Sequence, residues 1–315
     1  MKVTALAGGI GASKLLVGLA GVMPPDDITV IANTGDDIEL FGLRICPDLD
    51  TVNYTLAGVV NQQVGWGLAG DTFESLKWLA RYGEDIWFKL GDRDLATHVY
   101  RTSQLRLGSS LTEVTDQISR SLGVRSRILP MSDAYTPTQI ATDEGEMHFQ
   151  EYFVKRQCEP RVRGIRFDGI ESVQPAQGVL DSILDADAVI VCPSNPFISI
   201  GPILAVPGVR DALRRTRSTV IAITPIIGGR ALKGPTADML RDLGHEVSAQ
   251  AVAAMYQDFL DIFVLDVTDA SVGPAIGALN VDVRSTDTLM NTLAEKERLA
   301  LSVLGMCRRD ARATR

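Results

Sequence analysis

The chain has 315 residues, 45% of them hydrophobic and 22% charged, with a formal net charge of -8. That balance supports a sizeable buried core and excludes a disordered or linker-like protein. It also lacks the basic footprint of a nucleic-acid binder, so a polyphosphate ligand would need backbone N–H groups, a few placed Lys or Arg side chains and a divalent cation.

Val3–Ala7 is a short apolar run that reads as a buried strand. Gly8-Gly9-Ile10-Gly11-Ala12-Ser13-Lys14 follows it and opens a helix expected over Ala12–Val22. A strand, a glycine turn and a helix N-terminus together can receive a phosphate on successive backbone N–H groups. The spacing is neither a full G-x-G-x-x-G nor a Walker A loop, and a merely tight turn stays open as a reading. A second strand, Thr29–Ala32, ends in Asn33-Thr34-Gly35-Asp36-Asp37, and Pro47-Asp48-Leu49-Asp50-Thr51 follows. Carboxylates clustered near one strand end suit Mg²⁺ shared with substrate phosphates. The plainer reading makes Asp36 or Asp37 turn residues and Asp50 the N-cap of a helix over Thr51–Val59.

Between Asp50 and Gly123 the pattern is nearly all helical, with helices expected at Thr51–Val59, Asp71–Tyr82, Leu95–Leu107 and Leu111–Leu122. Within Lys89-Leu90-Gly91-Asp92-Arg93-Asp94-Leu95-Ala96-Thr97-His98, Asp92 or Asp94 can cap a helix, and His98 reads as a packed helix residue. His148 and His245 receive no role. The segment Arg127–Arg166 alternates in short strands, Ile128–Met131, Gln139–Thr142 and Met147–Val154, and reads as a small β excursion. Ala188–Cys192, Thr219–Thr224 and Asp261–Asp266 are further buried strands. The first two run into Pro193-Ser194-Asn195-Pro196 with Ser199, and into Pro225–Gly229 with Lys233. Helices are expected at Gly208–Arg215, Pro235–Leu243 and Thr286–Leu304, and the polar tail Arg308–Arg315 is expected to fray.

Strands alternating with helices predict an α/β fold, a doubly wound, mostly parallel Rossmann-like sheet with its ligands at the carboxyl ends of the strands. Residues 1–50 and 165–315 are expected to form this Rossmann-like domain, and 51–164 an inserted, mainly helical lobe. The apolar runs fall far short of the roughly 20 residues that span a bilayer. The chain opens on a strand without a basic leader and long apolar run, so no membrane partner and a cytoplasmic location are expected. Cys46, Cys158, Cys192 and Cys307 form no C-x-x-C pair, which predicts neither a zinc site nor a disulfide framework.

Taken together, GGIGASK, NTGDD, PDLDTVNYTLAG, KLGDRDLATH, ILPMSD, MHFQEYFV, PSNPFISIGPIL, PIIGG and YQDFLDIFVLD, in this order, resemble the 2-phospho-L-lactate transferase family of coenzyme F420 biosynthesis. The resemblance runs from Met1 to about Asp266. It implies transfer of a phospholactyl or enolpyruvyl phosphate unit from a guanosine diphosphate-linked donor to the ribityl hydroxyl of the deazaflavin Fo, releasing GMP, with Mg²⁺. Carried over residue by residue, it places the nucleotide along Gly8, Gly9, Gly11 and Lys14, at Ser194, Asn195 and Pro196, and at Gly228 and Gly229. It sets Asp50 and Lys89 against the acceptor, with Asp50 orienting or deprotonating the hydroxyl. It makes Asp36 and Asp50 the metal ligands, with Asp37 and Asp48 close enough to compete, and it implies a homodimer. The alternative is a non-catalytic nucleotide-sugar-binding regulator of the same superfamily, which the KLGDRDLATH and PDLDTVNYTLAG blocks disfavour. No residue decides between phospholactate and phosphoenolpyruvate as the donor acid.

Overall fold

The computed structural model describes residues 1–231 and 234–309; Lys233 and the last residues of the polar tail, both considered above, lie outside them. From the N-terminus, Val3–Ala7 (β1), Ile10–Val22 (α1) and Ile28–Ala32 (β2) lead to a hairpin of Ile38–Leu40 (β3) and Leu43–Ile45 (β4). The helices Pro47–Leu56 (α2), Glu74–Arg81 (α3), Asp92–Arg106 (α4) and Leu111–Ser121 (α5) come next. Arg127–Pro130 (β5) precedes the antiparallel strands Thr138–Thr142 (β6), Gly145–His148 (β7) and Val162–Phe167 (β8), with a π-helical turn at Glu151–Lys155. Then follow Val179–Leu184 (α6), Ala188–Val191 (β9), Ile200–Ala205 (α7), Val209–Arg215 (α8), Thr219–Ile223 (β10) and a hairpin of Ile226–Ile227 (β11) and Arg230–Ala231 (β12). Thr236–Asp242 (α9), Ala249–Tyr256 (α10), Ile262–Asp266 (β13), Gly273–Gly277 (α11), Asp282–Thr286 (β14) and Leu293–Arg309 (α12) complete the described chain.

The central sheet has seven strands in the order β14-β13-β10-β9-β1-β2-β5, and every neighbouring pair is parallel. The chain builds outward from β1 to β2 and β5, then returns to β9 on the other side and builds toward β14. The reversal leaves a crevice at the carboxyl ends of β1 and β9, the place where such sheets bind ligands. Both faces are covered, which is why the inner strands read as continuous apolar runs. Along β1, Val3, Ala5 and Ala7 pack with Leu15, Leu16 and Leu19 of α1 and Leu299 and Val303 of α12. Leu6 points the other way, toward Ile183, Ile203 and Leu213. The α1–α12 contact is backbone-close: a Cβ on Gly18 would lie 2.1 Å from the Lys296 carbonyl oxygen.

Several expectations are corrected. Arg127–Pro130 belongs to the edge of the main sheet rather than to the β excursion, and an edge is where a strand tolerates Pro130. Thr286 ends a strand instead of starting a helix, and α12 begins only at Leu293. The strand β14 escaped the apolar pattern because Asp282, Arg284 and Ser285 face solvent at the opposite edge. Met147–Val154 is the end of β7 followed by the π turn, and α2 starts at Pro47, ahead of Asp50 rather than after it.

Candidate active site at the sheet switch point

A cavity of about 880 Å³ opens over the carboxyl ends of β1, β2, β9 and β10 and reaches across to α2, α4 and the loops of the helical lobe. That is near the top of the roughly 300–1,000 Å³ typical of small-molecule sites, room for more than one ligand. Gly9, Gly11, Lys14, Asp36, Asp50, Lys89, Ser194 and Asn195 all line it. The helix α1 opens at Gly9 with no side-chain cap and no acidic residue in its first turn. Its first N–H groups lack intrahelical partners, as at any helix start, and Gly9, Ile10 and Gly11 line the cavity. Glycine is needed here for close approach: a Cβ on Gly11 would sit 2.5 Å from the Pro193 carbonyl oxygen, locking the loop after β1 against the loop after β9. Gly8 lies beneath, against Ser199.

Other expected nucleotide contacts are placed differently. Pro196 lies outside the cavity wall, its carbonyl packed against Gly201. The Asn195 side chain accepts the Phe197 N–H at 2.9 Å and so shapes its own turn. Gly228 and Gly229 are exposed at the tip of the β11–β12 hairpin, outside the wall, with φ of 58° and 68°. A two-residue hairpin turn with both φ positive explains this glycine pair by turn chemistry, and the Gly228 N–H already donates to Asp269 at 2.8 Å.

The aspartates separate by their partners. Asp37 accepts from the Arg44 guanidinium at 2.8 and 3.0 Å and from the Cys46 thiol at 3.0 Å. Asp50 is held by both terminal nitrogens of Arg101, one of them at 3.1 Å, and Arg101 is itself 1% exposed. The Asp50 N–H donates to the Cys46 carbonyl at 2.9 Å, one turn inside α2, whose N-cap is Cys46. This removes the N-cap reading of Asp50. Asp36 and Asp48, by contrast, have no cationic partner among the described residues. Burial, and then the charges of Asp48 and Asp37, push the Asp36 carboxyl well above the usual carboxylate range. Burial pushes Asp48 up to about 7, with Asp37 adding to it and a 2.9 Å hydrogen bond from Asn33 opposing it.

Asp36 Oδ1 is buried without any hydrogen-bond partner among the described residues. Asp48 lies directly under the glycine loop, where a Cβ on Gly9 would come within 2.4 Å of its Oδ1. A carboxylate against a phosphate-type loop needs a cation between them. An orphaned carboxylate oxygen and mutually repelling acids beside an uncapped helix start fit a hard divalent cation, shared with substrate oxygens. Asp50, Asp94 and His98 also bring ligand atoms within 4.8 Å of one another. Arg101, however, donates to Asp50 and contacts His98 Nδ1 at 3.1 Å, and so fills that space. A guanidinium only donates, so the ring hydrogen of His98 lies on Nε2, 3.4 Å from Asp94.

The lobe side of the cavity is aromatic. Trp66 and Phe153 are 38% and 40% exposed at its rim. Phe149 stacks on Phe153 at 5.5 Å and 14°, and Trp87 meets Phe88 edge-on at 5.6 Å. Lys89 stands exposed on the same rim with no hydrogen bond or ion pair among the described residues. Its loop is fixed by crossed helix caps: Asp92 accepts the Glu74 and Ser75 N–H groups at the start of α3, and Asp71 accepts those of Arg93 and Asp94 at the start of α4. Asp92 thus caps the other helix, not its own. Asn33, Arg101, Gln150 and the aromatic rim were missed from sequence. For Arg101 a signal was present: Asp94, His98, Arg101 and Thr102 form a polar stripe on the buried face of α4.

The family model described as 2-phospho-L-lactate transferase CofD matches residues 3–296. A protein named phosphoenolpyruvate transferase from Streptomyces griseus is 42% identical over 310 residues, covering 96% of this chain and 98% of its own length. One named 2-phospho-L-lactate transferase from Methanothermobacter thermautotrophicus is 43% identical over 304 residues, covering 96% and 97%. The crystal structure of a UPF0052-family protein from Bacillus halodurans superposes with a TM-score of 0.63 over 96% of this chain and 98% of that one, and its 15% identity speaks for the fold alone.

Proposed function

The chain belongs to the 2-phospho-L-lactate transferase family, and from that premise we propose that it transfers a phospholactyl or enolpyruvyl phosphate unit from a guanosine diphosphate-linked donor to the ribityl hydroxyl of Fo, releasing GMP, in coenzyme F420 biosynthesis. The observation that carries this reading is a chamber lined by an uncapped glycine loop, two carboxylates without counter-ions among the described residues, and an aromatic rim bearing a lysine likewise unpaired among them. An anionic donor and a flat, conjugated acceptor need those three chemistries side by side.

In this reading Gly9–Gly11, Lys14, Ser194 and Asn195 hold the guanosine diphosphate, the N–H groups at the start of α1 taking its phosphates. Lys89 contacts the acceptor, whose ring lies against the aromatics of the 51–164 lobe. The Fo hydroxyl attacks the donor phosphorus, the bond to the GMP phosphate breaks, and Asp50 takes the hydroxyl proton. Arg101 holds the Asp50 carboxylate in place for that step. Asp36 and Asp48 would hold Mg²⁺, which when bound would neutralise phosphate charge, while Asp50, paired with Arg101, serves the hydroxyl rather than the metal. The remaining contribution of the chain is position: both reactants are held in one pocket at reacting distance.

The test is GMP release. With Mg²⁺ and a guanylylated phospho-acid, GMP should appear only when Fo is added, and Lys89→Ala should raise the KM for Fo while leaving GDP affinity unchanged. GMP formed at the same rate without Fo would refute the transferase reading, and an unchanged KM would withdraw Lys89 from the acceptor site.

A further inference from the structure

The strand β7 and the π turn after it hold a residue that no motif assigned. Gln150 is 4% exposed, lines the cavity, and donates through Nε2 to the Asp36 carbonyl at 3.0 Å and to Asp36 Oδ2 at 3.2 Å. Both partners are acceptors, so the amide nitrogen, not its oxygen, must face them. The Gln150 N–H donates to His148 Nδ1 at 3.0 Å, which leaves His148 Nε2 to donate to the Asp37 carbonyl at 3.0 Å. The 148–150 segment thereby clasps the Asp36–Asp37 turn from across the chain.

We propose that Gln150 is a positioning residue for the Asp36 carboxylate, occupying Oδ2 so that the partnerless Oδ1 is presented to a divalent cation in the cavity. The inference rests on the metal reading of Asp36 given above. Its physical content lies in the contrast among the aspartates. Arg44 and Arg101 neutralise Asp37 and Asp50. A neutral amide fixes the rotamer of Asp36 without cancelling its charge, leaving that charge for the cation. Hydrogen-bond partners of ligating carboxylates act in this way, and losing one typically costs about 10–100-fold in metal affinity. Stitching of the turn alone would need only the contacts to the Asp36 and Asp37 carbonyls; the contact to Oδ2 is additional.

The test is Mn²⁺ binding to the full chain, followed by electron paramagnetic resonance without substrates, alongside GDP affinity in metal-free buffer and thermal melting. Gln150→Met keeps the length and burial but removes both donors. It should weaken Mn²⁺ binding by about tenfold or more, with GDP affinity and melting temperature close to those of the unmodified protein. Unchanged Mn²⁺ affinity overturns the proposal, and so does a loss shared equally with GDP binding and melting temperature, which would mark a structural residue. Should Gln150→Met fail to fold, Gln150→Asn, whose amide falls one methylene short of Asp36, is held to the same outcomes. If the unmodified protein binds no Mn²⁺, the metal reading itself falls and this inference with it, a result distinct from binding that the substitution leaves untouched.

Discussion

Asp36, Asp37, Asp48 and Asp50 are alike in type, close in sequence and different in work, because Arg44 and Arg101 reach only two of them. As a helix N-cap Asp50 would tolerate Asn, which caps about as well; as the counter-ion of buried Arg101 it does not. Asp50→Asn is expected to cost roughly 3–5 kcal/mol, the scale of a broken buried pair, and to slow turnover by about 10²-fold or more. Urea unfolding and steady-state kinetics check the two effects, and an Asn variant as stable as the parent would mean that the Arg101 pair contributes nothing. The unneutralised acids set a pH dependence. With a folded pKa of about 7, Asp48 binds its proton more tightly in the folded chain than in the unfolded one. Its contribution to stability is therefore full below about pH 4 and is lost as pH rises through 7. Buried Asp36 shifts in the same direction. A divalent cation relieves this only where the carboxylates are ionised, so Mg²⁺ should raise the melting temperature more at pH 8 than at pH 5.5. Equal shifts at both values would remove Asp36 and Asp48 from the metal site. The carboxylate cluster was visible in sequence; which members carry a free charge was not, because Arg101 reaches Asp50 from 51 positions away.

Elements explain why the site ingredients meet. Two loops, after β1 and after β9, come into backbone contact at Gly11 and Pro193 because those strands are neighbours at the switch point. Even Gly11→Ala should therefore lower both GDP affinity and melting temperature, whereas an effect on GDP alone, seen by calorimetry, would mean that the loops are not in contact. On the lobe side, the crossed caps at Asp71 and Asp92 hold the loop that carries Lys89. Asp71→Ala should cost about 1 kcal/mol and raise the KM for Fo with GDP binding intact; an unaltered KM would separate the caps from the acceptor site. Strands with two buried faces and helices with an apolar stripe were legible as such, including β1, β9, β10 and α5. Elements at the margins were not. The strand β14 is polar because it is an edge, and β5 looked like a neighbour of β6 until its pairing with β2 placed it in the main sheet.

Across the whole molecule, a doubly wound sheet brings loops from β1, β2, β9 and β10 to one end, and the helical lobe closes the other wall of the cavity. The alternation of strands and helices made that architecture readable, and the glycine loop and aspartates come together at the carboxyl ends of its strands. The aromatic rim was not readable, since Trp66, Trp87 and the Phe149–Phe153 pair come from three separate segments of the chain. The donor acid is likewise not written in overall similarity, since relatives named for phosphoenolpyruvate and for phospholactate are 42% and 43% identical to this chain. The proposed reaction joins a guanylylated phospho-acid to Fo in this one cavity. It is tested most directly by mass spectrometry of the deazaflavin after incubation with Fo, Mg²⁺ and guanylylated phospholactate or guanylylated phosphoenolpyruvate in parallel. An Fo phosphodiester carrying the donor acid, with GMP in equal amount, is expected from at least one donor; unmodified Fo with both donors, from protein shown to be folded, would overturn the transferase reading.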